Sequence, residues 1–208
     1  MTAIGDPAGV RFVSRPREEL DPEQQALYDL IASGPRAAQR GASPFLGPRG
    51  ELLGPFGPMT IAPAIGEAVQ SVGAALRYRS SLSPLVREAS ILLVAVARDS
   101  GFEWIAHVGL AAEAGLEIAQ LDEIRAGGLP SGLGEPESIA LEAVAELLAA
   151  GRLADASYAR AVAALGDRAL AELVWLVGYY SMLALALAVY TPRDTLGQAA
   201  GTPPAEGE

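Results

Sequence analysis

The sequence contains no cysteine and no lysine among its 208 residues. The lack of cysteine excludes disulfides, thiol nucleophiles, thiolate metal sites and a dithiol peroxidase cycle. The lack of lysine excludes catalysis through a Schiff base. Histidine occurs once, as His107, so any chemistry that needs an imidazole depends on this residue.

Positive charge is scarce as well. The chain has 15 arginines and 25 acidic residues, which gives a net charge of −10. Because nucleic-acid surfaces need clustered arginine or lysine, we expect no nucleic-acid partner. The N-terminal stretch "MTAIGDPAGVRFVSRP" lacks the apolar core of a signal peptide, which predicts a cytoplasmic protein.

No run of alternating β-branched residues is present, and half of the residues are hydrophobic, so the predicted fold is all-α. We predict an N-terminal tail over 1–20, one domain over 21–195 and a disordered tail over 196–208. The helical patterns lie at 21–34, 63–79, 84–98, 102–115, 119–127, 135–150, 155–165 and 168–190. Between the first two, residues 35–58 are rich in Gly and Pro and predict a long loop that lies against an apolar surface or forms a lid.

The stretch "LVWLVGYYSMLALALAVY", residues 173–190, carries no charge. Its length just reaches that of a membrane span. It begins directly after Glu172, holds small residues throughout and lacks positive charge on its N-terminal side. These features favour a buried central helix or an intersubunit helix, and we expect no membrane partner.

Glu103 and His107 are spaced i, i+4, so their side chains share one face of the helix "GFEWIAHVGLAAEAG". Leu110 and Ala114 continue that face and are apolar, which indicates that the pair points inward. A buried carboxylate beside a buried imidazole suits a general acid or base near neutral pH. An ordinary ion pair at a solvated edge is the alternative. The preceding helix carries Glu88, nineteen residues before His107, and the spacing alone leaves its contact with the pair open.

Three stretches resemble the carboxymuconolactone decarboxylase superfamily, which includes alkylhydroperoxidase D: "GPRGELLGPFGPM" around 48–59, "REASILLVAVARDSGFEWIAH" at 87–107 and "ELVWLVGYYSMLALALAVYTP" at 172–192. In the peroxidase branch a glutamate lies nineteen residues before the histidine, as Glu88 does here. Ser100 and Glu103 stand where that branch has its two cysteines. The decarboxylase branch has an E-x-x-x-H pattern, matched by Glu103 and His107, but not Glu88, so the chain matches neither branch completely.

The resemblance implies an alkylhydroperoxidase D-like helical bundle that forms a homotrimer or a hexamer, with a pocket near the histidine and a subunit boundary. We predict His107, Glu103 and Glu88 as catalytic residues. Further residues are predicted to line the substrate pocket: Trp104, Ser100, Arg87, Phe56, Met59, Tyr179 and Tyr180. The alternative for Trp104 is a plain core position, that for Arg87 an ion pair near Glu88, and that for the tyrosines a hydroxyl bonded to a backbone carbonyl.

These residues predict an acid/base enzyme without metal or cofactor, a carboxymuconolactone decarboxylase-like lyase or isomerase that acts on a small carboxylate, lactone or carbonyl compound. A dinuclear metal centre does not fit the i, i+4 spacing and the single histidine, while a mononuclear site stays open. Two other functions are possible: an antioxidant protein of the alkylhydroperoxidase D type without the redox cysteines, and a non-catalytic oligomeric binding protein.

Overall fold

The computed structural model describes residues 11–34, 45–191 and 196–199, and helices are the only long elements in these ranges. In chain order they are α1 Pro22–Ala32, α2 Phe56–Met59, α3 Pro63–Tyr78, α4 Pro84–Ala97, α5 Gly101–Glu113, α6 Ile118–Arg125, α7 Glu135–Ala150, α8 Asp155–Tyr190 and α9 Leu196–Ala199. A short 3-10 helix, Arg17–Glu19, precedes α1. The predicted all-α fold is therefore confirmed.

Helix α4 lies at the centre and packs against α5, α6, α7 and α8. Ser83 caps it by accepting a hydrogen bond from the backbone of Val86, and Pro84 occupies its first position. Its sequence is apolar on nearly every face, and residues 88–95 are all buried. A helix that is hydrophobic all round must be enclosed by other elements, which explains its central place.

Helix α8 contains both of the helices that the sequence predicts at 155–165 and 168–190. Gly166 separates them, since its φ of 77° and ψ of 161° are not helical. Ten residues of α8 are buried, Leu173, Leu176 and Tyr180 among them. An 18-residue window of this helix is apolar enough to cross a membrane, but 44% of the window is buried inside the fold. One side of the long apolar stretch therefore belongs to the core.

The chain ends differ from the predicted tails. The backbone N–H of Arg11 donates to the carbonyl of Tyr190 at 3.2 Å, and Phe12 packs edge-on against Tyr190. At the other end, Leu196–Ala199 form α9 instead of the predicted disorder, and α9 packs on α5. Residues 200–208 lie outside the described residues, as do residues 35–44 of the predicted loop.

Candidate active site

The site begins with the tight turn between α4 and α5. The backbone N–H of Ser100 donates to the carbonyl of Ala95 at 2.9 Å, and that of Asp99 donates to Val96 at 3.2 Å. These two bonds form a Schellman motif, which ends a helix in the left-handed conformation. Asp99 takes that conformation with a φ of 51°, although it is not glycine. The turn sends α5 back antiparallel along α4.

Glu88 on α4 reaches His107 on α5. Its Oε2 lies 2.7 Å from Nδ1 of the imidazole. The two residues are not level in the helical hairpin: Glu88 is about three residues further from the turn, which is roughly 4.5 Å along the axis. The glutamate side chain bridges this offset. Glu88 is 2% exposed and His107 6% exposed, so the contact is buried.

Glu103 lies on the opposite side of the imidazole. Its Oε2 is 3.5 Å from Nε2 of His107, and Glu103 is itself buried. The i, i+4 pair thus has the inward orientation that its apolar neighbours indicated. The imidazole therefore stands between two carboxylates, one on each ring nitrogen.

The surroundings of Glu88 keep it ionised. Burial raises its pKa, but the hydrogen bond and charge of His107, together with Arg77 and Arg87, outweigh burial and hold the pKa below the usual 4.5. Arg87 donates from Nε to Oε1 of Glu88 at 3.1 Å. The sequence suggested Arg87 as a substrate-binding residue. In the structure it is an ion-pair partner of Glu88. Arg77 could not be assigned to the site from the sequence, because its position at the end of α3 gives no sign that its charge acts on Glu88 of α4.

Two tyrosines of α8 complete the wall around the imidazole. Tyr180 packs edge-on against the ring of His107 with 5.3 Å between centroids, and Tyr179 packs the same way against Tyr180. Burial, followed by the charge of Glu103, raises the pKa of Tyr180 far above its usual range. The phenol therefore keeps its proton. Both tyrosines were predicted for this site from the sequence.

Trp104 lies beneath Arg125 of α6, whose guanidinium is 4.7 Å from the ring centroid. Arg125 also donates to the backbone carbonyl of Leu196, and Asp99 accepts from the backbone N–H of Leu196. Helix α9 is thereby held beside the start of α5. Sequence reasoning found neither Arg125 nor α9, because both contacts join segments far apart in the chain.

Phe56 and Met59 lie in the core beside α3. Phe56 packs edge-on against Phe45. Met59 lies against Gly66, whose missing side chain lets α3 approach this closely. The loop before them contacts α5 through Gly54, where a side chain would collide with the ring of Phe102. A role of Phe56 and Met59 in the substrate pocket stays a prediction.

The structure also bears on metal binding. Among the residues that it describes, no group of three or more histidine, aspartate and glutamate side chains could hold a metal ion. In the site itself, the Nδ1 of His107 is taken up by Glu88. The arrangement thus fits proton exchange between imidazole and carboxylates.

Comparisons with known proteins agree with this fold. The family model described as "Carboxymuconolactone decarboxylase family" matches residues 63–147, which run from α3 into α7 and include Glu88, Glu103 and His107. A solved structure from Ralstonia eutropha JMP134, titled as an alkylhydroperoxidase AhpD core and an uncharacterized peroxidase-related protein, is similar with a TM-score of 0.68. The likeness covers 89% of this chain and 92% of that chain at 11% identity, so it shows the fold alone. No curated protein matches the sequence. The chain is thus similar to the carboxymuconolactone decarboxylase family over residues 63–147, and it has an alkylhydroperoxidase D-like fold.

Proposed function

We propose that this protein is a cofactor-independent acid/base enzyme of the carboxymuconolactone decarboxylase type. It would decarboxylate, or move a proton on, a small carboxylate, lactone or carbonyl compound. One observation carries the proposal: the only imidazole of the chain is buried between Glu88 at 2.7 Å and Glu103 at 3.5 Å. General acids and bases are built from such pairs.

The two contacts divide the roles of the carboxylates. Ionised Glu88 can only accept, so Nδ1 of His107 carries a proton and donates it. The opposite nitrogen, Nε2, lies 3.5 Å from Glu103, and in our proposal one proton passes between these two groups. With the proton on Nε2 the imidazolium is balanced by two carboxylates. With the proton on Glu103 the imidazole is neutral, and its Nε2 is a base.

In the proposed reaction this shared proton is the one that moves. Loss of CO2 from a substrate leaves an electron pair on carbon, and the pair formed by Glu103 and His107 protonates it. In an isomerisation the same pair removes a proton from carbon and returns it elsewhere. His107, Glu88 and Glu103 are buried, and Tyr180 packs against the imidazole. Burial strengthens the electrostatic coupling between these groups.

The proposal is tested by His107→Gln and Glu103→Gln in assays of CO2 release and of hydrogen exchange at carbon in D2O, over a panel of small carboxylates, lactones and ketones. Loss of a general acid or base lowers the turnover by about 10²- to 10⁴-fold, and the helical circular dichroism is expected to stay unchanged. Glu113→Gln is the control, because Glu113 is exposed on the same helix. Unchanged turnover in His107→Gln would refute the proposed role.

The same experiment separates the two alternatives. A peroxidase of the alkylhydroperoxidase D type would consume hydrogen peroxide with dithiothreitol as reductant, and we expect no such activity because Ser100 and Glu103 replace the cysteines. A non-catalytic binding protein would turn over no member of the panel in its wild-type form.

We further propose that the protein works in the cytoplasm as an oligomer of identical chains. The support is a stripe of exposed residues along α8 that is apolar throughout, which we name the α8 stripe: Ala171, Val174, Trp175, Gly178, Met182, Leu185, Ala188 and Val189. Trp175 and Leu185 are 69% and 67% exposed. Contiguous apolar patches of this kind mark protein interfaces or membrane contacts. A second copy of the chain fits the trimers or hexamers that the resemblance implies.

A further inference from the structure

The N-terminus of α5 contains a serine whose hydroxyl is not used. Ser100 is the N-cap residue of α5 and is only 3% exposed. A serine in this position normally accepts a hydrogen bond from a backbone N–H of the first turn, but Ser100 makes no such bond. Within the described part of the chain nothing hydrogen-bonds to its Oγ, which is fully buried.

Two backbone donors next to this hydroxyl are also open. The first hydrogen bond of α5 runs from the N–H of Trp104 to the carbonyl of Ser100 at 3.3 Å. No described residue accepts from the N–H of Gly101 or of Phe102. The first N–H groups of a helix have no partner within it, and the helix dipole places partial positive charge there. Since α5 is 13 residues long, its N-terminus has this full character.

Ser100 lies on the same side of α5 as the acid/base pair. Ser100, Glu103 and His107 are spaced i, i+3 and i+7, and all three are buried. A buried polar group without a partner lowers the stability of the fold, because it has lost its hydrogen bonds to water. Such a group is tolerated more readily where the oxygen of a ligand can hydrogen-bond to it. An oxygen atom hydrogen-bonded to Ser100 would therefore lie on the side of α5 that carries Glu103 and His107.

We propose that the Ser100 hydroxyl and the N–H groups of Gly101 and Phe102 form an oxyanion site for the substrate. This inference rests on the proposed acid/base function and narrows its substrate class to a carbonyl compound. The carbon next to that carbonyl carries either the proton or the carboxylate that leaves. A ketone, a β-keto acid or a lactone meets this requirement.

The electron balance of the step is simple. The base formed by Glu103 and Nε2 of His107 takes a proton from the carbon next to the carbonyl, and the electrons of that C–H bond form a C=C bond. The carbonyl π pair moves to oxygen, and the resulting enolate oxygen accepts hydrogen bonds from the three donors. In decarboxylation the electrons of the broken C–C bond take the same path as CO2 leaves. Return of the proton to carbon restores the carbonyl.

Acetate is a suitable probe, because its carboxylate oxygen mimics an oxyanion without reacting. In ¹⁵N-labelled protein titrated with acetate, we expect saturable shifts of the Gly101 and Phe102 amide signals. Ser100→Ala is expected to weaken acetate binding about tenfold, in line with the loss of one hydrogen bond to a charged group. Ser100→Gly removes the same hydroxyl and, as a tolerated N-cap, gives a second reading.

Ser90→Ala is the matched control. Ser90 is also buried, but its hydroxyl already donates to the carbonyl of Val86. It should bind acetate as the wild type does. The oxyanion site is refuted if the Gly101 and Phe102 amide signals do not shift with acetate. It is also refuted if Ser100→Ala and Ser90→Ala bind acetate with equal affinity.

The acid/base proposal is tested independently of the oxyanion site. Its test is turnover in His107→Gln, whereas acetate binding is read at the backbone of α5 and should persist in His107→Gln. A binding site that survives while His107→Gln keeps full turnover would refute the acid/base role alone. If His107→Gln has no turnover and its α5 amide signals do not shift with acetate, the oxyanion site alone is refuted.

Discussion

The hydrogen bond between Glu88 and His107 couples the ionisation of one residue to the proton of the other. Positive charge on His107 helps to keep the pKa of Glu88 low, so ionised Glu88 must in turn favour the imidazolium. In Glu88→Gln the imidazole should therefore lose its second proton at a lower pH than in the wild type. Because the chain has a single histidine, ¹⁵N spectra of the imidazole report this titration without overlap.

The same substitution predicts a pH-dependent loss of stability. The pKa of Glu88 is depressed in the folded state, so its contribution is complete above the usual carboxyl value of 4.5 and is lost as the pH falls through the folded pKa. Urea unfolding at pH 7 should show Glu88→Gln destabilised by about 1.5–3 kcal/mol. The difference in unfolding free energy between Glu88→Gln and the wild type should become smaller below pH 4.5. An equal gap at every pH would mean that Glu88 is neutral in the folded protein.

Individual residues of the site were predictable to different degrees. Glu103 and His107 could be paired because i, i+4 spacing on one helix is a local rule. The contact of Glu88 depends on how α4 and α5 cross, and spacing in the sequence does not contain that angle. Arg77, Arg125 and Leu196 were missed for the same reason, since each acts across a long chain separation.

At the scale of elements, local sequence predicted the helices well because their ends carry capping residues. Asp21 and Gln24 form the capping box that begins α1, and Gly151 ends α7 with a φ of 70°. The sequence predicts two helices, at 155–165 and 168–190, and the structure joins them into α8 with a kink at Gly166. Helix α9 lacked such signs, and its contacts with Asp99 and Arg125 hold it in place instead.

Alanine substitutions at Gly166, in the kink, and at Gly109, in α5, are expected to change the free energy of unfolding in opposite directions. A side chain at Gly166 would meet no atom within 4 Å, but its φ of 77° is strained for any L residue. Gly166→Ala should therefore lower the free energy of unfolding by about 1–3 kcal/mol. Gly109→Ala, in the interior of α5 with equally open space, should raise it by about 0.5–1 kcal/mol. Thermal unfolding of the two variants checks both, and a stabilised Gly166→Ala would show that α8 is straight in solution.

At the scale of the whole molecule, α8 has a buried side and an exposed side, and it thereby links the site to the surface. One side of the helix carries Tyr179 and Tyr180 toward His107, and the other carries the α8 stripe. The sequence could not assign these sides, because residues 173–190 are apolar all round and no polar face marks the outside. Burial in the fold makes the assignment.

If a second copy of the chain covers the α8 stripe, charges placed on it should separate the subunits. We expect the wild type to sediment as a multiple of the 21.4 kDa chain, and the double substitution Trp175→Glu with Leu185→Glu to sediment as a monomer. Burying a charge without a partner opposes association, whereas the same charge in water does not. Ile118→Glu is the control, because Ile118 on α6 is 79% exposed and lies outside the stripe. A wild type that sediments as a monomer and floats with phosphatidylcholine vesicles would assign the stripe to a membrane surface instead.

Because Tyr179 and Tyr180 lie on the same helix as the stripe, dissociation should also change the ¹⁵N shifts of His107. Unchanged shifts in the monomer would show that the site forms without a partner chain.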